Sequence, residues 1–206
     1  ELFSQDNSCS PHYTTAQAIT ALNGINAKYI GVNSGSTHAN METVANGTGS
    51  VDISGSPLVF DINTDGTGLG SQVVDAVEIL ANQVPIEVSA VPEDDTSDAV
   101  DATQFILRIE PNTVGGVADP TDPTKVCIGG LAVADRDGDG HPDVFTSVLP
   151  GTTVCFDIYP QMNTTVEPTA EPQIFRAFVN VIGDGFTLLD TRDVYFLVPP
   201  EISGGN

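Results

Sequence analysis

Up to about residue 84, apolar positions recur at helical spacing between short β-prone runs, and beyond Pro85 they alternate with period two. In "TTAQAITALNGINA", Ala16, Ile19 and Leu22 share one helical face, and Gly24 offers a C-terminal stop. Tyr29 to Val32 read as a short buried strand that opens into a Gly/Ser turn. "HANMETVANGTG" repeats the helix-then-glycine pattern, with Met41, Val44 and Ala45 apolar, and "PLVFDI" predicts another strand. "GSQVVDAVEILANQV" carries the clearest amphipathic pattern, a stripe of Val73, Val74, Val77, Leu80 and Ala81 with Ser71 at the N-cap.

After Pro85 the strands "IEVSAV", "TQFILRIE", "DVFTSVL", "TTVCFDIYP", "QIFRAFVNVIG" and "DVYFLVP" follow, separated by Pro, Gly and Asp turns. Their number and spacing predict an antiparallel β-sandwich of immunoglobulin-like size over 85–206. The fold class expected is therefore α+β, an α/β unit over 1–84 joined to a sandwich. The first unit has too few strands to cover both faces of a parallel sheet, so it is not expected to fold alone.

The run "AKYIGVNSGS", "METVANGTGS", "LVFDI", "SQVVDAVEIL" resembles the C-terminal half of a von Willebrand factor type A domain. Ile30-Gly31-Val32, Met41 to Ala45, Leu58 to Ile62 and Gln72 to Leu80 fill the places of that family's late strands and helices. The Asp-rich loop and the terminal "RDVYFLVPP" resemble the sandwich that follows such domains in secreted bacterial surface proteins. In that family the Asp-x-Ser-x-Ser adhesion motif follows the first strand, which would lie before Glu1, so none of its metal-site residues is carried over. The resemblance implies a partial α/β sheet, completed by a neighbouring chain or an upstream fragment or trimmed to a structural role.

Composition narrows the function. Asp and Glu number 28 against six Lys and Arg, a net charge of −22 over 206 residues. Such a surface repels nucleic acid and anionic membranes and attracts divalent cations. No apolar run reaches the length of a membrane span. The chain opens on Glu1, with neither an initiating methionine nor a signal peptide, and is read as a processed piece of something longer. Scarce lysine, abundant Asn, Thr, Ser, Gly and Pro, and three cysteines suit an extracellular or cell-surface protein. Cys127 and Cys155 both fall in the sandwich and are expected to pair, leaving Cys9 outside the bond. Asn46 and Asn163 head glycosylation sequons, a pattern that also arises by chance.

The strongest chemical motif is "DRDGDGHPD". Asp135, Asp137, Asp139, Gly140 and Asp143 fall at positions 1, 3, 5, 6 and 9 of a calcium loop, and the His141 carbonyl falls at position 7. The usual glutamate at position 12 is replaced by Thr146, and no helices flank the loop, so it is not an EF-hand sensor. It resembles the Asp-rich loops of thrombospondin type 3 repeats and dockerins. The expected cofactor is Ca2+, acting as a staple; the competing reading is a bare solvated turn.

Other motifs carry less. Gly66-x-Gly68-x-Gly70 has the wrong spacing for a dinucleotide fingerprint, and Asp61 and Asp65 would repel a pyrophosphate. His12, His38 and His141 show neither triad nor zinc spacing and are read as surface or loop residues. No Gly-x-Ser-x-Gly elbow occurs. Glu93, Asp94 and Asp95 lack any tryptophan partner for sugar stacking and are read as a solvated loop. The sequence therefore reads as a non-enzymatic surface protein acting in adhesion or assembly, in its sharper form a filament or surface-layer subunit. A ligand-binding module of a larger adhesin is the alternative, and a hydrolase or nucleotide-binding enzyme stands furthest from the pattern.

Overall fold

A computed structural model describes residues 13–36 and 38–201. Cys9 and His12 lie outside the described residues. The chain divides into two compact units, Glu1–Pro85 with Leu149–Gly151, and Ile86–Val148 with Thr152–Asn206. It is a mixed α+β protein whose sheets are mostly antiparallel. Among the described residues, no helix is long and apolar enough to cross a membrane.

In the first unit, helix α1 (Thr15–Asn23), strand β1 (Gly31–Asn33), helix α2 (His38–Gly47), strand β2 (Val59–Asp61) and helix α3 (Leu69–Gln83) follow in order. Thr14 caps α1 in a reciprocal box with Gln17, which satisfies two otherwise orphaned backbone donors. β1 and β2 pair in parallel, with Gly31 opposite Val59 and Asn33 opposite Asp61. Val44, Ala45, Leu58, Ala76 and Val84 are buried. The helix pair α1 and α2 meets at Gly47, where an added Cβ would fall 2.6 Å from the Ile19 side chain. A larger residue there would force the Ile19 side chain to shift.

One sequence expectation for α3 is corrected. The helix begins at Leu69 behind Gly68, whose φ of 91° is a left-handed conformation open to glycine, so Ser71 is not its N-cap. Ser71 lies inside the first turn, and its hydroxyl donates to the Gly68 carbonyl at 3.0 Å. The apolar stripe does not become core: Val73, Val74, Val77 and Ala81 are exposed, and Ala76 is the one buried residue of the helix. Two short parallel strands offer too little surface to cover a wide apolar face, so the helix presses only a small side chain inward. Gly24 ends α1 as expected, in a right-handed conformation, and the left-handed residue that follows is Asn26 with φ 50°. One boundary differs: the first strand is displaced to Gly31–Asn33.

The second unit contains β3 (Ile86–Asp94), a 3-10 turn (Ala102–Phe105), β4 (Ile106–Pro111), β5 (Val133–Ala134), β6 (Val144–Val148), β7 (Phe156–Pro160), β8 (Gln173–Gly183) and β9 (Thr187–Val198). A five-stranded sheet runs β5-β6-β3-β8-β9, and a two-stranded sheet pairs β4 with β7; every pairing is antiparallel. This arrangement is compatible with a β-sandwich. One core cluster gathers Val88, Phe145 and Val148, against which Phe156 of the smaller sheet packs. The Phe145 and Phe156 rings meet edge to face at 5.3 Å, a favoured geometry for the ring quadrupoles. The other cluster sets Phe105 between Phe175 and Phe196, with centroids 6.0 and 5.4 Å apart. Cys127 and Cys155 form a disulfide with Cα atoms 5.7 Å apart. The β8–β9 turn places Asp184 and Gly185 at φ 49° and 79°, the left-handed pair that an Asp-Gly hairpin turn requires.

Candidate metal site

The loop 135–143 joins β5 to β6, and the short ladder of Val133 to Phe145 and Ala134 to Val144 holds its two ends together. The Asp143 N–H donates to the Ala134 carbonyl at 3.0 Å, closing the neck. Within the loop, Gly138 and Gly140 take φ of 79° and 93°, a conformation that other residues adopt only with strain.

The backbone turns its N–H groups onto the carboxylates. Gly138 and Gly140 donate to the two Asp135 oxygens at 2.6 and 2.9 Å. Asp139 donates to Asp137 at 3.1 Å, and His141 donates to Asp139 at 2.8 Å. The Gly140 and Gly138 N–H groups hold the Asp135 carboxyl below its ordinary range, because they stabilise the charged form. Alternate carboxylates therefore point to one side. Oxygens of Asp135, Asp137 and Asp139 lie within 4.8 Å of one another, and this cluster could hold a metal ion. Three exposed carboxylates are a hard donor set of the kind that divalent cations with oxygen preference take.

Asp143 accepts the Arg136 N–H at 3.0 Å at the neck of the loop and is not one of the group of three. A ninth-position side chain often reaches calcium through water. The ligand atom expected of His141 is its carbonyl; its ring places Nδ1 2.9 Å from a Glu110 oxygen. Glu110 also accepts from Arg108 at 2.5 Å, and that guanidinium lies 3.9 Å from the Tyr159 ring centre. Arg108 and its hydrogen bond hold the Glu110 carboxyl below its ordinary range. This Arg108–Glu110–His141 support was absent from the sequence reading. The signal available for it was the period-two placement of Arg108 and Glu110 on one face of β4.

A second polar cluster lies at the carboxyl ends of β1 and β2. A cleft of about 480 Å³ is lined by Asn33, Ser34, Gly35, His38, Asp61, Ile62 and Thr64. The buried Asn33 amide donates to Asp61 at 2.6 Å and to the Gly35 carbonyl at 3.0 Å. His38, the first residue of α2, places Nδ1 2.9 Å from Asp61 and Nε2 3.2 Å from Glu42. The Asp61 hydrogen bond raises the His38 pKa, and the Asn33 and His38 hydrogen bonds lower that of Asp61. Sequence spacing could not join His38 to Asp61, which only the parallel pairing brings together.

No family model matches the chain, and no curated protein sequence matches it significantly.

Proposed function

We propose that the chain is a non-enzymatic extracellular surface protein that acts in adhesion or assembly, with a Ca2+-stapled sandwich carrying an unfinished α/β unit. The observation that carries this reading is the exposed stripe of Val73, Val74 and Val77 on α3. An amphipathic helix of this kind ordinarily lays its apolar face on a sheet. Here the sheet beside it has two strands, and parallel sheets of that size need further cover. The occupant that fits is protein: another copy of the chain, or an upstream fragment that completes a von Willebrand factor type A-like sheet. Filament or surface-layer growth follows if each copy completes the next.

Calcium suits the loop because it accepts several oxygen ligands at flexible angles, and Asp135, Asp137 and Asp139 supply three of them. The bound ion would neutralise carboxylates that otherwise repel one another on a chain of net charge −22. The loop is bounded by strands and a disulfide, with no helix pair to open, so the ion stabilises and does not switch. The disulfide accords with an oxidising compartment.

The polar cleft beside His38 favours a second reading, a ligand-binding module of a larger adhesin, since ligands of α/β sheets bind beyond the carboxyl ends of strands. Negative-stain electron microscopy of the purified chain in millimolar calcium separates the two. Regular fibres or lattices support assembly, and dispersed particles favour the module. Calorimetric titration with Ca2+, repeated on Asp137→Asn with Asp139→Asn, tests the staple: heat of binding is expected only for the unaltered chain.

A further inference from the structure

Strand β9 ends the five-stranded sheet, so one of its edges has no neighbour among the described residues. The backbone shows which groups face outward. Thr191 donates its N–H to the Asp190 carboxylate at 2.9 Å, so this group does not point into the β8 ladder. In an antiparallel strand the inward and outward groups alternate, which puts the N–H and C=O of Asp193, Tyr195 and Leu197 on the free edge as well. Nearer the turn, Leu189 is an extra residue between the pairs Val181–Asp190 and Ile182–Leu188. That bulge bends the edge there, as edge strands often do to avoid pairing. From Asp190 to Val198 nothing comparable intervenes, and the stretch ends in the uncharged run Val194-Tyr195-Phe196-Leu197-Val198. Tyr195 and Leu197 are 61% and 63% exposed. A long bare edge with an apolar end is a template for another strand.

For a second copy as occupant, the charges on the strand limit the register. A second copy pairing antiparallel about a two-fold axis must match residues of like parity. Centring on Arg192 sets arginine against arginine, and centring on Asp193 sets aspartate against aspartate, which is unfavourable directly across a sheet. Centring on Val194 removes both conflicts and, unlike a centre at Tyr195, pairs the whole straight stretch from Asp190 to Val198. Asp193 then faces Tyr195, Thr191 faces Leu197, and Arg192 faces Phe196, each pair occurring twice by symmetry. Asp193 and Tyr195 face outward on both strands, so each such pair exchanges two backbone hydrogen bonds, whereas at Thr191–Leu197 the Thr191 N–H stays on the Asp190 carboxylate and only the Leu197 N–H donates across. Asp193 already sits 3.4 Å from the Tyr195 hydroxyl within one strand, so the two side chains are compatible neighbours.

We propose that two copies of the chain pair antiparallel through β9, in register about Val194, to form one continuous sheet across a two-fold axis. This interface is independent of the α3 face: the first closes a dimer, whereas the second concerns the other unit. With −22 charges on each copy, long-range repulsion opposes the pairing, so added salt strengthens it.

The test is sedimentation equilibrium of the full chain across a range of salt concentrations, with dimer expected and its dissociation constant falling as salt rises. Tyr195→Asp places carboxylates face to face at both symmetry-related pairs and should weaken the dimer roughly tenfold or more. Asp193→Lys added to Tyr195→Asp sets opposite charges across the same pairs and should restore it. Both side chains are solvent-exposed, and an unchanged melting temperature checks that neither variant unfolds the sheet. A synthetic peptide of residues 190–198 should compete the dimer to monomer. A monomer at every salt concentration overturns the proposal, as does a dimer indifferent to Tyr195→Asp or one that the double variant fails to restore. Binding of an unrelated extended peptide to a chain that stays monomeric would assign the edge to another protein and would equally overturn it.

Discussion

Helix α3 and strand β6 show what the same kind of apolar content does in two surroundings. In β6, Val144, Phe145 and Val148 are buried, because β3 and β5 flank the strand and Phe156 of the second sheet closes over it. In α3, three valines of an equally clear stripe remain exposed, and Ala76 alone is buried. Periodicity states which face of an element is apolar. Whether that face becomes core depends on how much sheet stands opposite it.

The sharpest way to break this contrast is to separate the units. Residues 1–84 expressed alone are expected to give aggregated or unfolded material, with no cooperative melt by circular dichroism; a soluble, sharply melting fragment would show that the first unit is self-sufficient. Within the full chain, Phe145→Ala should cost about 3–5 kcal/mol in denaturant unfolding, as deletion of a buried aromatic ring does. Val74→Ala on the exposed stripe should stay within about 0.5 kcal/mol.

The disulfide comes next. Its cysteines are separated by 28 residues, and closing such a loop restrains the unfolded chain by about 3–4 kcal/mol on the chain-entropy model. Cys127→Ser with Cys155→Ser should lower stability by that order, read from the urea midpoint. Calcium removal should act more weakly. At tenfold saturation the linkage contribution is about 1.4 kcal/mol, so chelation should lower the melting temperature by a few degrees and leave the far-UV spectrum unchanged. Asp137→Asn with Asp139→Asn should abolish that chelator effect.

The same elements show how far the sequence could be read. Alternation after Pro85 marked the long strands β3 and β8, because each fills a sheet and its pattern is written over many residues. β5, with two residues, left no period to detect, and β9 begins well before its apolar end because its first residues are exposed on both faces. The Asp loop was legible from its spacing, since Gly138, Gly140 and the alternate carboxylates encode the turn locally. Its anchoring by Glu110 was not, because that contact joins residues 31 positions apart across the fold (141 − 110). The position of Ser71 misled for a related reason: a capping residue was present, but Gly68 with its left-handed backbone starts the helix earlier.

Acid should reveal the smallest of these effects. Hydrogen bonds from Thr121, followed by the charge of Arg192, hold the Asp119 carboxyl at about 2. A depressed folded pKa contributes stability that is whole above the unfolded value of about 4 and is lost as pH falls toward 2. Asp119→Asn should therefore flatten the acid limb of a melting-temperature profile between about pH 4 and 2, and leave its shape near neutrality alone.

The α3 stripe, as proposed, is an interface for a protein partner. Val74→Asp in the full chain tests it most directly, because it puts a charge in the middle of the stripe at a residue already 64% exposed. Assembly is followed by electron microscopy and sedimentation velocity, and the melting temperature of the unassembled chain is taken in parallel. Fibres or lattices formed by the unaltered chain are expected to disappear while the melting temperature stays within a degree or so, as for other exposed substitutions. A large fall in melting temperature, or assembly that continues undisturbed, would contradict it.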